Sequence, residues 1–375
     1  MKQIAIALAL LVVFVAVAFV LVWAPSRPAA KATATYIPLA KRLRWAYGNT
    51  DLKAVLIDED GRASFVDATN RLSVTNIRAQ LSGQKFAIAA IGPGGGVVLS
   101  DTEGRLYRYK AAERDLTRMA SLPRGGNVLD LAFDDTHGVL WCAEDPTGDS
   151  GADDSLIALD ATSGKVLCRK NHLDLGANGN LKVDPDTRAV FAPLGQSAMG
   201  YVWGRDLFVQ AKSLNFSSEI SAVCFYSGKV LAGLQSGEVY YVDPDSSEIR
   251  WKTPKNAGRV TGIALSGERA AVIHGGGNAF FGEGGLQIID LKSGFVQSSL
   301  ELGAYATALA SLPDGSFAVG FEDGNVKIVG QDNSVRDAWN NGVDHSSVRY
   351  LGCRGNKLLI VQDTGVNEEV SVHHP

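Results

Sequence analysis

The chain has 375 residues, 46% hydrophobic and 20% charged, which is apolar material enough for one large or two ordinary globular domains. A formal net charge of −4 and a pI near 5.9 supply no basic face, so nucleic acid is excluded as an expected partner. Four cysteines, Cys142, Cys168, Cys224 and Cys353, show neither C-x-x-C nor zinc-type spacing, and they read as small buried apolar residues.

The first feature along the chain is Ile4 to Trp23, an unbroken apolar run of 20 residues. At 1.5 Å per residue a helix of that length crosses a hydrocarbon core of roughly 30 Å, and it exceeds a signal-peptide core of about 7 to 15 residues. Residues 1–24 are therefore expected to form a transmembrane signal anchor, with the membrane as partner of residues 4–23. Ala30-Lys31-Ala32 resembles a cleavage site, so secretion after cleavage is the alternative. Orientation is read two ways. Arg27, Lys31, Lys41, Arg42 and Arg44 follow the run and would hold the globular part in the cytoplasm, whereas a three-residue tail before it is the layout of an export signal. The expectation adopted is a single-pass protein of a bacterial-type inner membrane with its domain in the periplasm. Residues 25–40, rich in Ala, Pro and Lys, read as a linker, and 41–375 as the folded domain.

That domain repeats. Gly61, Gly237 and Gly284 precede Asp67, Asp243 and Asp290 by six residues, and Asp154 stands in the same relation to Asp160. The remaining starts are Gly104, Gly200, Gly324 and Gly365, and intervals run from 37 to 50 residues. A D-G, E-G or S-G step suits a tight hairpin, and the later Asp is placed to cap the next turn. Two extended runs lie upstream of each start, giving four strands per unit, a to d. Four short strands in about 40 to 50 residues are the blade of a β-propeller. The expectation is an all-β propeller of eight four-stranded antiparallel blades, with seven as the alternative should 178–213 not form a separate blade. The last unit ends after three strands, so its outer strand is expected from Tyr36 to Leu39 or from Arg42 to Tyr47.

The stretches "DSLIALDATSGKVLCRK" and "SGEVYYVDPDSSEIRWK" resemble the PQQ-like, quinoprotein-type repeat, and more distantly the WD40 type. Trp251 matches the family tryptophan, where Cys168 and Ser298 stand in other units, and no Trp-Asp or Gly-His dipeptide occurs. The resemblance covers about 42–375. It implies a propeller that serves as an interaction scaffold or accessory subunit of an envelope complex. A quinoprotein-like redox enzyme is a second implication, although such enzymes are longer and often carry an adjacent cysteine pair that this chain lacks. Binding of a small ligand or glycan in the central channel is a third.

Insertions locate a site. The b-c connections at 143–155 and 274–285 are enlarged, and the d-a connections at 171–180 and 340–347 are long. Both connection types open on one face, which is the expected partner-binding face, with Asn278, Phe280, Phe281, His172 and His345 as candidates. Asp145, Asp149, Asp153 and Asp154 on the acidic loop supply oxygens of the kind calcium takes. They lack the EF-hand spacing, so a solvated loop is preferred and no cofactor is expected. No catalytic residue is assigned. "IGPGGG" (91–96) reads as an a-b turn rather than a phosphate loop.

Overall fold

The computed structural model describes residues 35–39, 43–49, 52–92, 95–122, 126–134, 136–146, 154–173, 175, 181–184, 189–194, 197–204, 207–210, 214–255, 258–275, 285–339, 346–363 and 368–373. The expected membrane helix and linker lie outside them, apart from the strand at 35–39. Among the described residues no helix is long and apolar enough to cross a membrane.

Antiparallel sheets follow one another along the chain. Sheet 1 is Leu43–Asn49, Lys53–Asp58, Ala63–Asp67 and Ser73–Ile77. Sheet 2 is Phe86–Ile91, Val97–Asp101, Arg105–Lys110 and Asp115–Ser121, and sheet 3 is Asn127–Asp134, Val139–Asp145, Asp154–Asp160 and Val166–Leu173. Sheet 5 is Ile220–Tyr226, Lys229–Leu234, Val239–Asp243 and Glu248–Lys252. Sheet 6 is Arg259–Ser266, Arg269–Gly275, Gly285–Asp290 and Val296–Glu301, and sheet 7 is Ala306–Ser311, Phe317–Phe321, Val326–Val329 and Val335–Trp339. Sheet 8 combines Ser347–Arg354, Lys357–Asp363 and Glu368–His373 with Thr35–Leu39.

The expectation of eight blades is corrected to the seven-blade alternative: seven sheets have the four-stranded antiparallel form of a blade, and the stretch 182–215 departs from it. There, in sheet 4, the inner strand is only Lys182–Val183, followed by Ala189–Leu194 and Ser197–Gly204. The outer position is divided between Leu207–Gln210 and Leu214–Asn215, making five strands. Proline explains much of the irregularity. Pro193 stands inside the second strand and has no N–H to donate to a ladder.

First strands contact first strands of neighbouring sheets, so strand a is innermost around the ring. The ring closes through the termini: Thr35 pairs with Val372 and Leu39 with Glu368, which makes 35–39 the missing outer strand. Lys357 of sheet 8 adds a bond from its Nζ to Thr69 O of sheet 1 at 2.9 Å.

Each sheet is covered on both faces by its neighbours, so second strands are near-continuous apolar runs. Val97–Asp101 is buried throughout, and so are all but the first residue of Lys229–Leu234. Outer strands such as Val296–Glu301 alternate with solvent instead. The repeat's turn chemistry has its expected geometry at four of its starts, whereas Gly200, also expected to open a unit, lies inside the strand Ser197–Gly204. Gly61, Gly104, Gly237 and Gly324 all have positive φ, between 71° and 86°. Asp67, Asp160, Asp243 and Asp290 each accept backbone N–H groups two or three residues on. Trp251 spans sheets 5 and 6, donating its indole N–H to Leu291 O at 2.9 Å.

Candidate functional site

The register of the inner strands sets up one end of the central channel. In every four-stranded sheet the a-b pairing shifts at the second or third residue of the inner strand. Such a bulge places one extra residue there and re-aims its side chain. The skipped residues are Arg44, Ala87, Leu129, Ser221, Thr261, Thr307 and Arg349. They lie near the starts of the inner strands, the end where d-a and b-c connections emerge.

Some of these hydroxyls stitch sheets together. Ser221 Oγ donates to Val260 O of sheet 6 at 2.6 Å, and Thr307 Oγ1 donates to Val348 O of sheet 8 at 2.6 Å.

A recess of about 510 Å³ opens at this end, within the usual size of ligand sites. Trp45 and Tyr47 of sheet 1, Asp130 of sheet 3, Ser221 and Gln235 of sheet 5 and Arg259 and Thr261 of sheet 6 line it, beside Ile88, Val128, Leu129, Ile220 and Val260. Trp45 is 48% exposed, unusual for a tryptophan outside an interface. Burial raises the Asp130 carboxyl above the ordinary carboxylate range, while Lys182 and the N–H groups of Leu131 and Leu181 oppose the rise. Burial also pushes the Tyr47 phenol up; the Asp130 charge adds to that, and Arg44 opposes it. No histidine or cysteine lines the recess, so the described lining offers polar recognition rather than a nucleophile-base pair.

The same end holds the expected partner face. The b-c connections of sheets 3 and 6 span 146–153 and 276–284, and the d-a connections span 174–181 and 340–346. Asn278, Phe280, Phe281, His345, Asp149 and Asp153 lie outside the described residues. His172 belongs to the outer strand Val166–Leu173, one residue from its end. Asp145 ends the second strand of sheet 3, and Asp154 begins the third. Asp154 is buried and accepts the Leu175 N–H at 2.8 Å, while Asp130 accepts the Leu181 N–H at 2.6 Å. Two carboxylates thus anchor both ends of the connection after sheet 3. Among the described residues no group of three His, Cys, Asp or Glu is placed to hold a metal ion.

For two residues at this end the sequence could not supply the partners. Glu144, fully buried, pairs with the Arg169 guanidinium, which also bonds Ser155 Oγ at 3.1 Å and Asn171 Oδ1 at 2.7 Å. His274, at the root of the 276–284 connection, is buried against Gln287 Oε1 at 3.1 Å, and burial lowers its pKa below the ordinary imidazole value. The inner-strand bulges left only a faint signal, a residue of varied polarity directly after a buried apolar one, as in Ile220-Ser221 and Val260-Thr261.

Comparison with known proteins bears on the fold. No protein-family model matches the sequence, and no curated protein matches it. Solved structures do match. The C-terminal WD40 domain of Sif2 has a TM-score of 0.68 at 14% identity, over 90% of this chain and 97% of that one. BamB from Moraxella catarrhalis has a TM-score of 0.62 at 15% identity, over 91% and 98%. A chain of the mitotic checkpoint complex has a TM-score of 0.57 at 14% identity, over 76% and 88%. The chain is a β-propeller. At these identities the likeness speaks for the propeller fold alone, with WD40 and BamB propellers among its structural neighbours.

Proposed function

We propose that this β-propeller is a non-catalytic interaction scaffold, tethered to a bacterial-type inner membrane by residues 4–23 and carrying its ring in the periplasm. On this reading it is an accessory subunit of an envelope complex. The observation that carries the reading is that the strand ends flanking the long connections, Asp145 and Asp154 and Gly275 and Gly285, lie at the end of the ring where the channel recess opens. Loops on a rigid scaffold are where binding residues concentrate, and an aromatic pair such as Phe280-Phe281 is the composition of an interface anchor. One structural neighbour is a chain of the mitotic checkpoint complex, which is consistent with such a role.

The test is replacement of 275–284 by an Asn-Gly turn joining His274 to Gly285, which face each other across the two strands. The expected result is a folded ring that no longer recovers a stoichiometric partner captured by the wild-type chain. Unchanged recovery refutes the assignment of this face. A C-terminal reporter fusion, active only in the periplasm, tests the orientation independently.

A second reading is favoured by the recess itself. Asp130, Arg259 and the exposed Trp45 offer a carboxyl group, a cationic hydrogen-bond donor and an aromatic platform to a small polar ligand such as a sugar. Quenching of tryptophan fluorescence by oligosaccharides, lost in Trp45→Ala, supports that reading; no quenching refutes it.

A further inference from the structure

The opposite end of the ring carries a groove of about 1070 Å³ across the turns of sheets 1, 2 and 3. It is twice the size of the channel recess and lies at the a-b and c-d turns, away from every enlarged connection. Its lining holds Lys53, Arg108, Lys110 and Arg114 against Asp67 and Glu113. Lys110 is neutralised by Glu113 at 3.1 Å, and Asp67 is engaged by the Thr69 N–H at 2.9 Å. Among the described residues Lys53, Arg108 and Arg114 form no salt bridge, although Asp160 lies close enough to Arg108 for the two charges to be felt.

A second observation is independent of charge. Tyr109, 2% exposed, lines the groove, and its buried hydroxyl has no hydrogen-bond partner among the described residues. A buried donor left unmade is costly, so an unpaired phenol beside unpaired cations marks a place for an incoming acceptor. The chain as a whole is acidic, with a net charge of −4, which makes a local excess of cations in one concavity a selective feature rather than a general one.

We propose that this groove binds an extended acidic peptide segment of a partner protein, with one carboxylate seated on the Tyr109 hydroxyl and Arg114 and others met by Arg108 and Lys53. The width of the groove, which spans three sheets, suits an extended chain better than a single small anion. The site is separate from the insertion face, so it stands or falls independently of the function proposed above.

The test is fluorescence anisotropy of a fluorescein-labelled decapeptide of alternating glutamate and serine, titrated with the full chain. Saturable binding is expected, weakening as salt rises. Tyr109→Phe and Arg114→Gln are each expected to weaken it about ten-fold, as loss of a hydrogen bond to a charged group does. Arg336→Gln, in the outer strand of sheet 7, and the 275–284 replacement are expected to leave it unchanged. No binding at about 1 mM, or equal binding by the Tyr109 and Arg114 variants, overturns the proposal. Equal weakening by Arg336→Gln reduces it to non-specific attraction and also overturns it. Displacement by inorganic phosphate at matched charge marks a small-anion site and overturns the peptide assignment.

Discussion

Trp251 offers the sharpest test of how adjacent sheets are joined. Its ring stacks on Tyr241 with centroids 5.2 Å apart, and its N–H reaches Leu291 O. A Cβ built on Gly294, whose φ is +72°, would lie 2.6 Å from the indole, so the next sheet's turn sits directly against the ring. Trp251→Phe keeps much of the aromatic surface and deletes the donor, leaving the carbonyl of fully buried Leu291 unpaired. That costs about 1 to 3 kcal/mol. Trp251→Ala removes the ring as well. Full burial would add about 3 to 5 kcal/mol, and a half-buried ring about half of that, for a total near 3 to 5 kcal/mol. The assay is urea unfolding followed by far-UV circular dichroism, with Ile249→Ala as an exposed control on the same strand, expected within about 0.5 kcal/mol of wild type. A Trp251→Phe midpoint indistinguishable from wild type, with unchanged slope, refutes the indole as a joint between sheets 5 and 6.

Two further predictions follow from buried groups. His274 has a folded pKa lowered from 6.5 by burial, despite ring hydrogen bonds donated to the Gly258 backbone and to Gln287 that favour the charged form. The unfolded chain then binds the proton more readily, so stability is fully present above about pH 6.5 and is lost as pH falls below it. His274→Gln is expected to flatten the change in urea midpoint between about pH 7.5 and 5.5 relative to wild type; an identical slope in the two proteins contradicts the role. Gly320→Ala drives a Cβ to 2.4 Å from Val348 Cγ1 in sheet 8, an overpacking cost of about 1 to 3 kcal/mol. Adding Val348→Ala is expected to recover part of that loss in a double-mutant cycle, and strict additivity of the two substitutions rules the contact out.

Much of the architecture was legible along the chain because the repeat writes its turns in residue types with special backbone chemistry. Gly61, Gly237 and Gly324 announced positive-φ turns, Asp67, Asp243 and Asp290 announced caps, and the missing final strand announced closure by the amino-terminal segment. Sheet 4 was where the pattern failed, and there Pro193 stands inside a strand without an N–H to give the ladder that the spacing alone would continue. The acidic stretch was visible as composition. That Asp154 accepts the Leu175 N–H, and that Glu144 is bound to Arg169 25 residues on, depended on strand register and burial.

By itself, then, the sequence determined the all-β propeller class, much of the hairpin chemistry and the closure of the ring by the amino-terminal strand, but not the number of blades. These are local properties, set by backbone preferences within a few residues. Tertiary structure alone decided which side chains from distant sheets meet: Trp45, Asp130 and Arg259 at the channel mouth, and Lys53, Tyr109 and Arg114 around the groove at the far end. Those groupings arise from ring closure and a repeated one-residue bulge. Neither leaves a fixed spacing along the chain, because residues more than 200 positions apart become neighbours only when the sheets pack in a circle.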